Sequence, residues 1–302
     1  MQSPRVDSWP DGRSVVTWSA FQENFGSQVY AQILDPDGEK VGGQILVCAD
    51  NGATINGGKK TAVFPDVAVL ENGQFVVGWN QGQRVYGGEA DCETVFRIFN
   101  PDGTAVTPID APIIGYDPTD HNGYDLDILA LSDGGFIMAM GIVARPEDGL
   151  VDGLVSGGDW EVVAQRFDET GTGVGAPIHV NTSTSGTQAN PALAELDDGT
   201  IMIVWKSESG SAGEIFGQRI GNGGVKIGSE FVVSTSVSGE YGHPDVAVLD
   251  DGSILVGWLD SYRGADYYAQ RINVDGEKIG TEFKINASPS TIGYQNIEVV
   301  PT

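Results

Sequence analysis

Cysteine, histidine and basic residues are scarce in this chain of 302 residues, which has two Cys, three His, and 16 Lys plus Arg against 42 Asp plus Glu. A net charge of −26 repels nucleic acid and anionic membrane surfaces, keeps a protein soluble and attracts divalent cations; marine or high-salt surroundings would also explain it. No apolar run is long enough to span a bilayer, so membrane insertion is not expected. Met1-Gln-Ser-Pro4 has no basic and apolar signal segment, and the chain is expected to be a domain of a longer secreted protein. There is no nucleophile elbow, phosphate loop, C-x-x-C or zinc spacing, and nothing reads as a helix. Sparse cysteine suits either an extracellular protein or a reduced one. A Cys48–Cys92 disulfide, closing a 44-residue separation and worth about 4 kcal/mol on the chain-entropy model, and two thiols both stay open.

Glycine is abundant, with 43 residues, and it marks a repeat. Gly12, Gly73, Gly134, Gly199 and Gly252 are each followed six residues later by Trp18, Trp79, Met140, Trp205 and Trp258. A second anchor ends in Gln32, Arg97, Gln165, Gln218 and Gln270, and six residues on comes another glycine, at 38, 103, 171, 224 and 276. Four of these have a further glycine four residues later, at 42, 175, 228 and 280, with Thr107 the exception. Alternating runs such as Asp66-Val-Ala-Val-Leu70 fit strands, and the Asp-Gly and Asn-Gly steps between them are hairpin signals. Each repeat is therefore two hairpins in series. The intervals between first glycines, 61, 61, 65 and 53 residues, match one propeller blade.

The expected fold is all-β, a five-bladed β-propeller of four-stranded antiparallel blades with the ring closed by terminal strands. It forms one domain over 1–302, with repeats near 4–60, 61–121, 122–186, 187–239 and 240–292 and a closing strand at 293–302. Both Pro4 to Trp9 and Gly293 to Val300 match a first strand. One end closes the ring, or the spare strand augments a second copy, so the expected state is a monomer or a self-assembling chain.

The connections between second and third strands vary most, spanning 14, 18, 25, 13 and 12 residues from Trp or Met to the second anchor. Variable loops on a rigid scaffold are where binding groups usually sit, so the loops of blades 2 and 3 are the candidate face. Asp117, Asp120, Asn122 and Asp125 offer hard oxygen ligands of the kind Ca²⁺ prefers, although capping of ordinary turns accounts for them equally. No cofactor is required, and calcium is the one candidate. Tyr86, Tyr116, Tyr124, Trp160, Tyr241 and Tyr262 lie off the repeat and are candidates for stacking on a sugar, whereas the repeated Trp residues are expected in the core.

A second constellation follows from the repeat. Seven residues before each first glycine stand Arg5, Asp66, Asp127, Ala192 and Asp245, with Asn296 in place of Arg5 if the C-terminal strand closes the ring. Asp66, Asp127 and Asp245 could ring a tunnel mouth and hold a polyol or a cation; equally, Asp after Pro65 and Pro244 starts a strand. With Asp7 and Glu195 they keep a glycosidase formally open. Their near-identical repeat surroundings argue instead for a structural use, because catalytic carboxylates need contrasting environments. Asn181-Thr-Ser and Asn286-Ala-Ser match a glycosylation acceptor but share one repeat position, which points to a structural role.

The pattern Pro244-Asp-Val-Ala-Val-Leu-Asp-Asp-Gly252, then Trp258, then Tyr268-Ala-Gln-Arg-Ile-Asn-Val-Asp-Gly-Glu-Lys-Ile-Gly280 resembles propeller-type repeats within large secreted bacterial proteins. These include calcium-binding repeats-in-toxin proteins and giant adhesins. The resemblance implies an extracellular or cell-surface module without catalytic activity, and it transfers no binding residue. The expected function is adhesion or contact with a carbohydrate or another cell-surface component through the loops of blades 2 and 3. A structural module assembling through its spare strand and a five-bladed glycoside hydrolase are the alternatives.

Overall fold

The computed structural model describes residues 2–22, 26–48, 54–55, 58–83, 92–107, 111–112, 124–143, 160–209, 212–235, 241–260, 266–287 and 299. Every regular element among them is a strand. The first sheet runs β1 (Gln2–Ser8), β2 (Ser14–Gln22), β3 (Gly26–Leu34), β4 (Lys40–Leu46), each pairing with the next. The second adds a short strand, β5 (Thr54–Ile55), to β6 (Gly58–Val69), β7 (Phe75–Gln83), β8 (Cys92–Phe99) and β9 (Ala111–Pro112). The third is β10 (Tyr124–Ala130), β11 (Phe136–Val143), β12 (Trp160–Phe167), β13 (Gly173–His179), and the fourth β14 (Thr187–Glu195), β15 (Ile201–Ser209), β16 (Ala212–Ile220), β17 (Lys226–Val232). The fifth is β18 (Tyr241–Val248), β19 (Ile254–Asp260), β20 (Asp266–Ile272), β21 (Lys278–Lys284). Five four-stranded antiparallel meanders in sequence order are what the repeat predicts. N-terminal β1 supplies the first strand of the first sheet.

The hairpin turns follow from the repeated glycine. In the fifth sheet Gly252 N–H donates to Leu249 O at 2.8 Å and Leu249 N–H to Ser253 O at 2.7 Å. Gly252 closes the loop at φ +77°, where a Cβ would be strained. Asp251 Oδ1 accepts from Ser253 N–H at 3.1 Å and fixes the turn from the side, as Asp198 and Asn72 do for Thr200 and Gln74.

The second anchor has a different cause. Third and fourth strands slip register at Gln32, Gln218 and Gln270, because a glycine four residues past the turn bulges the fourth strand. At Gly280 the backbone takes φ +74° with open space around its Cβ position, so conformation and not room selects glycine there. The bulge leaves carbonyls without a ladder partner, and the glutamine amide takes them. Gln270 Nε2 donates to Arg271 O at 2.8 Å and Ile279 O at 3.4 Å; Gln32, Gln165 and Gln218 do the same. The second sheet departs from this, and Thr107 Oγ1 accepts Ile98 N–H at 2.9 Å where the other sheets have glycine.

Just past the fourth strand of four sheets a small polar residue caps the start of the third. Cys48 Sγ, Asn181 Oδ1, Ser234 Oγ and Asn286 Oδ1 accept from the backbone N–H of Val29, Val162, Ile215 and Tyr267 at 3.3, 2.8, 3.0 and 2.8 Å. The Cys48 thiol is buried and hydrogen-bonded to the Val29 backbone. Asn181 is fully buried, so its acceptor motif serves the fold.

The chain divides into two compact units, Met1–Met138 with Gln165–Val174, and Ala139–Ala164 with Gly175–Thr302. In the first, Trp9, Phe75, Trp79, Val95 and Phe99 share a core, with Phe75 stacked on Phe99 at 5.1 Å. Phe96, Phe136 and Phe167 pack together, their ring centroids 4.9 to 5.4 Å apart. Gly78 makes room for Met138, Leu126 and Ile128, since a Cβ there would lie 2.5, 2.6 and 2.9 Å from their side chains. In the second unit Met202, Val204, Ile254, Val256, Trp258 and Ile272 form the core. Trp79, Trp205 and Trp258 have no exposed surface, and loss of such a side chain costs roughly 3–5 kcal/mol, whereas Trp18 departs from the expected core position and is only partly buried, stacked on Tyr30.

Candidate active site on the first strands

The first strand of a sheet carries a bulge near its start. Register shifts between Gln2 and Arg5, Val63 and Asp66, Ala189 and Ala192, and Gly242 and Asp245. In three of them the residue before a proline takes positive φ: Phe64 at 52°, Asn190 at 55° and His243 at 26°. Such a conformation in a residue with a side chain costs of order 1–3 kcal/mol. Pro65, Pro191 and Pro244 lack the N–H that the bulge leaves without a ladder partner.

In the first unit the residue after that proline is Asp66, 6% exposed. Its Oδ2 accepts Ile128 N–H at 2.8 Å, and Arg5 Nε lies 3.6 Å from Oδ1. Burial dominates: it pushes the Asp66 carboxyl up to about 6, against the pull of Arg5 and of the backbone N–H groups, and the charge of Asp7 adds to the rise. Asp7, on β1, accepts Ser8 N–H and Val69 N–H at 2.7 Å each, and burial raises it too. Two neighbouring first strands therefore hold two carboxyl groups and a guanidinium together. One carboxyl titrates near neutrality, where it can give up or take a proton. Asp66 is buried where Asp127 and Asp245 are half-buried, so the carboxylates at this repeat position do not share one environment.

In the second unit the equivalent bulges bring Asn190 and His243 together. Asn190 Nδ2 lies 2.6 Å from His243 Nδ1 and 3.4 Å from Nε2. Asp245, half-buried on β18, accepts Val299 N–H. In the same unit Glu161 is fully buried, with Oε2 3.2 Å from His179 Nε2 and also bound by Asn181 Nδ2, while Oε1 has no hydrogen-bond partner among the described residues. The fifth sheet repeats this arrangement as Asp266, Lys284 and Asn286, at 2.7 and 3.3 Å.

The other expected site residues fall as follows. Asp127 lies on β10 and is half-buried. Trp160 is not a loop aromatic: it is the first residue of β12, with a ring carbon 3.4 Å from the Cβ position of Gly141. Tyr124 and Asp125 open β10, and Tyr241 opens β18. Tyr86, Tyr116, Asp117, Asp120, Asn122, Tyr262 and Asn296 lie outside the described residues. Among the described residues no cluster of three His, Cys, Asp or Glu could hold a metal ion. The Asn190–His243 pair was missed in the sequence; its signal was the shared residue-before-proline step.

No family model and no curated protein matches the chain. Among solved structures it is similar to a Dyadobacter fermentans protein of unknown function, at 12% identity and TM-score 0.68, with 95% of this chain and 82% of that one covered. It is similar to an α-L-arabinofuranosidase from Lactobacillus brevis, at 12% identity and TM-score 0.53, covering 91% and 92%. It is also similar to an α-L-arabinanase from Penicillium chrysogenum, at 14% identity and TM-score 0.57, covering 93% and 80%. At such identities the likeness is one of fold, and the fold is the five-bladed β-propeller. The resemblance to adhesin and repeats-in-toxin repeats is narrowed to the propeller itself, because no family match supports the rest. The expectation that the chain is not an enzyme is corrected: the solved structures that share its fold include glycoside hydrolases.

Proposed function

We propose that the chain is a glycoside hydrolase whose reaction uses the carboxyl groups of the first strands. The observation behind this reading is Asp66, a buried carboxyl with a pKa of about 6, next to a second carboxyl and an arginine. Glycoside hydrolysis needs an acid to protonate the leaving oxygen and a second carboxylate to act as base or nucleophile. Asp66 keeps its proton at a pH where ordinary carboxyls have lost theirs, and is the acid. Asp7, held by two backbone N–H groups, is the second carboxyl, and Arg5 holds the charge that Asp66 gains on releasing its proton. The carbohydrate-acting neighbours support the substrate class, with furanosides of arabinose first to be tried.

The test is hydrolysis across a panel of aryl furanosides and pyranosides by the wild type and by Asp66→Asn. We expect turnover of at least one substrate and its loss, by about a hundredfold or more, in the variant. A wild type inactive on every substrate, or an Asp66→Asn variant as active as the wild type, would overturn the reading.

A further inference from the structure

We infer that the Asn222–Gly223 step, in the turn between β16 and β17, is a modification site, where the asparagine loses ammonia without an enzyme and becomes aspartate or isoaspartate. The reaction is an attack by the Gly223 backbone nitrogen on Asn222 Cγ. A carbon–nitrogen bond forms, the bond from Cγ to the side-chain nitrogen breaks, and ammonia leaves with the proton that the Gly223 nitrogen gives up. Water then opens the resulting cyclic imide, at Cγ to give aspartate or at the backbone carbonyl to give isoaspartate. No oxidant, reductant or cofactor takes part.

The first argument is a cap that the repeat supplies elsewhere and omits here. In the first, third and fifth sheets the turn between third and fourth strands opens with Asp35, Asp168 or Asn273. Their Oδ1 atoms accept the N–H two residues on, of Asp37, Thr170 and Asp275, at 3.0, 2.9 and 3.0 Å. They also accept the N–H four residues on, of Glu39, Thr172 and Glu277. In the fourth sheet Gly221 stands at the opening position without a side chain, and Gly223 N–H, two residues on, has no hydrogen-bond partner among the described residues. The nitrogen that the other turns hold is here the one that attacks.

The second argument is what stands beside that nitrogen. Asn222 directly precedes it, and asparagine is a thermolabile residue. Gly223 has no side chain to shield its nitrogen, and a Cβ there would meet nothing within 4 Å. The Asn222 amide lies beside the Gly199 turn, and Asn222 and Gly223 are both exposed to the water that completes the change. Asn72–Gly73 is the contrast. There Gly73 N–H donates to Leu70 O at 2.8 Å, and the Asn72 side chain accepts Gln74 N–H at 2.9 Å and donates to the Gln74 side chain at 3.0 Å. Asn51, Asn56 and Asn122, also followed by glycine, lie outside the described residues.

The experiment holds the folded wild type for days in mildly alkaline buffer and follows its tryptic peptides by mass spectrometry, with isoaspartate read by enzymatic methylation. The peptide Ile220–Lys226 should gain the mass difference between an amide and a carboxyl about fivefold faster than the peptide carrying Asn72, the factor that first breaking one backbone hydrogen bond imposes. In denaturant, where neither turn exists, the two rates should converge. Gly221→Asp restores the acceptor that the other sheets have, and a Cβ at Gly221 meets its nearest neighbour at 3.4 Å, an ordinary contact. Asn222 in that variant should change about fivefold more slowly than in the wild type. An Asn222 peptide that stays unchanged, or that outpaces Asn72 no more when folded than when unfolded, overturns the inference. A Gly221→Asp variant modified at the wild-type rate overturns it too.

Discussion

Asp66 has a folded-state pKa of about 6 against 3.8 for a free carboxyl, so the native state holds a proton that the unfolded chain has released. Stability therefore falls as pH rises from roughly 4 to 6 and stays lower above that window, by on the order of 3 kcal/mol. Asp7, also raised by burial, acts in the same direction. An Asp66→Asn variant, whose amide oxygen can still accept Ile128 N–H, should be more stable than the wild type at pH 7, with the gap closing near pH 4. Thermal unfolding across that range checks it. Together with lost hydrolysis this would mark a site held at a cost in stability. None of it was legible in the sequence, because the burial of Asp66 comes from strands tens of residues away. Asp66, Asp127 and Asp245 read as equivalents in the repeat, and only the packed structure sets them apart.

At the scale of the element, strands and turns were legible because they rest on local chemistry. The Asp-Gly turns and the glutamine at the bulge recur with constant spacing. Trp160 was misread because the repeat gives no mark for where β12 begins. Cys48 was left open between a disulfide and a thiol, and its place in the repeat, that of Asn181, Ser234 and Asn286, went unused. Cys48→Ser should therefore be close to neutral, since a hydroxyl already fills this place before Ile215. Cys48→Ala leaves Val29 N–H without its side-chain acceptor and should cost about 1–3 kcal/mol. Denaturant unfolding of the two variants separates these outcomes. Gln270→Ala strips the amide from the bulge carbonyls of Arg271 and Ile279 and should cost a similar amount.

For the whole molecule, the charge of −26 sets the response to salt. Self-repulsion opposes the compact state and weakens once the Debye length falls to a few ångströms, so the unfolding midpoint should rise from low salt to about 1 M NaCl. A midpoint that falls would mean the ion pairs, such as Arg219 with Asp198 and Arg271 with Asp251, outweigh that repulsion.

Side chains also latch one sheet to the next. Lys226 of the fourth sheet donates to Asn181 O at 3.0 Å, and Glu230 accepts Thr182 N–H and Ser183 N–H at 2.6 and 2.9 Å, all just past the third sheet. Lys278 and Glu282 of the fifth sheet do the same for Ser234 and Thr235 of the fourth. In the first unit Arg97 of the second sheet reaches back to Val47 O at 3.1 Å. These fastenings come from the later sheet, but the first two sheets are also held from the earlier side, where Asp7 accepts Val69 N–H and Trp9 Nε1 donates to Gly73 O at 2.8 Å. Removing the side chains of either sheet at that junction therefore leaves the other sheet's hold in place.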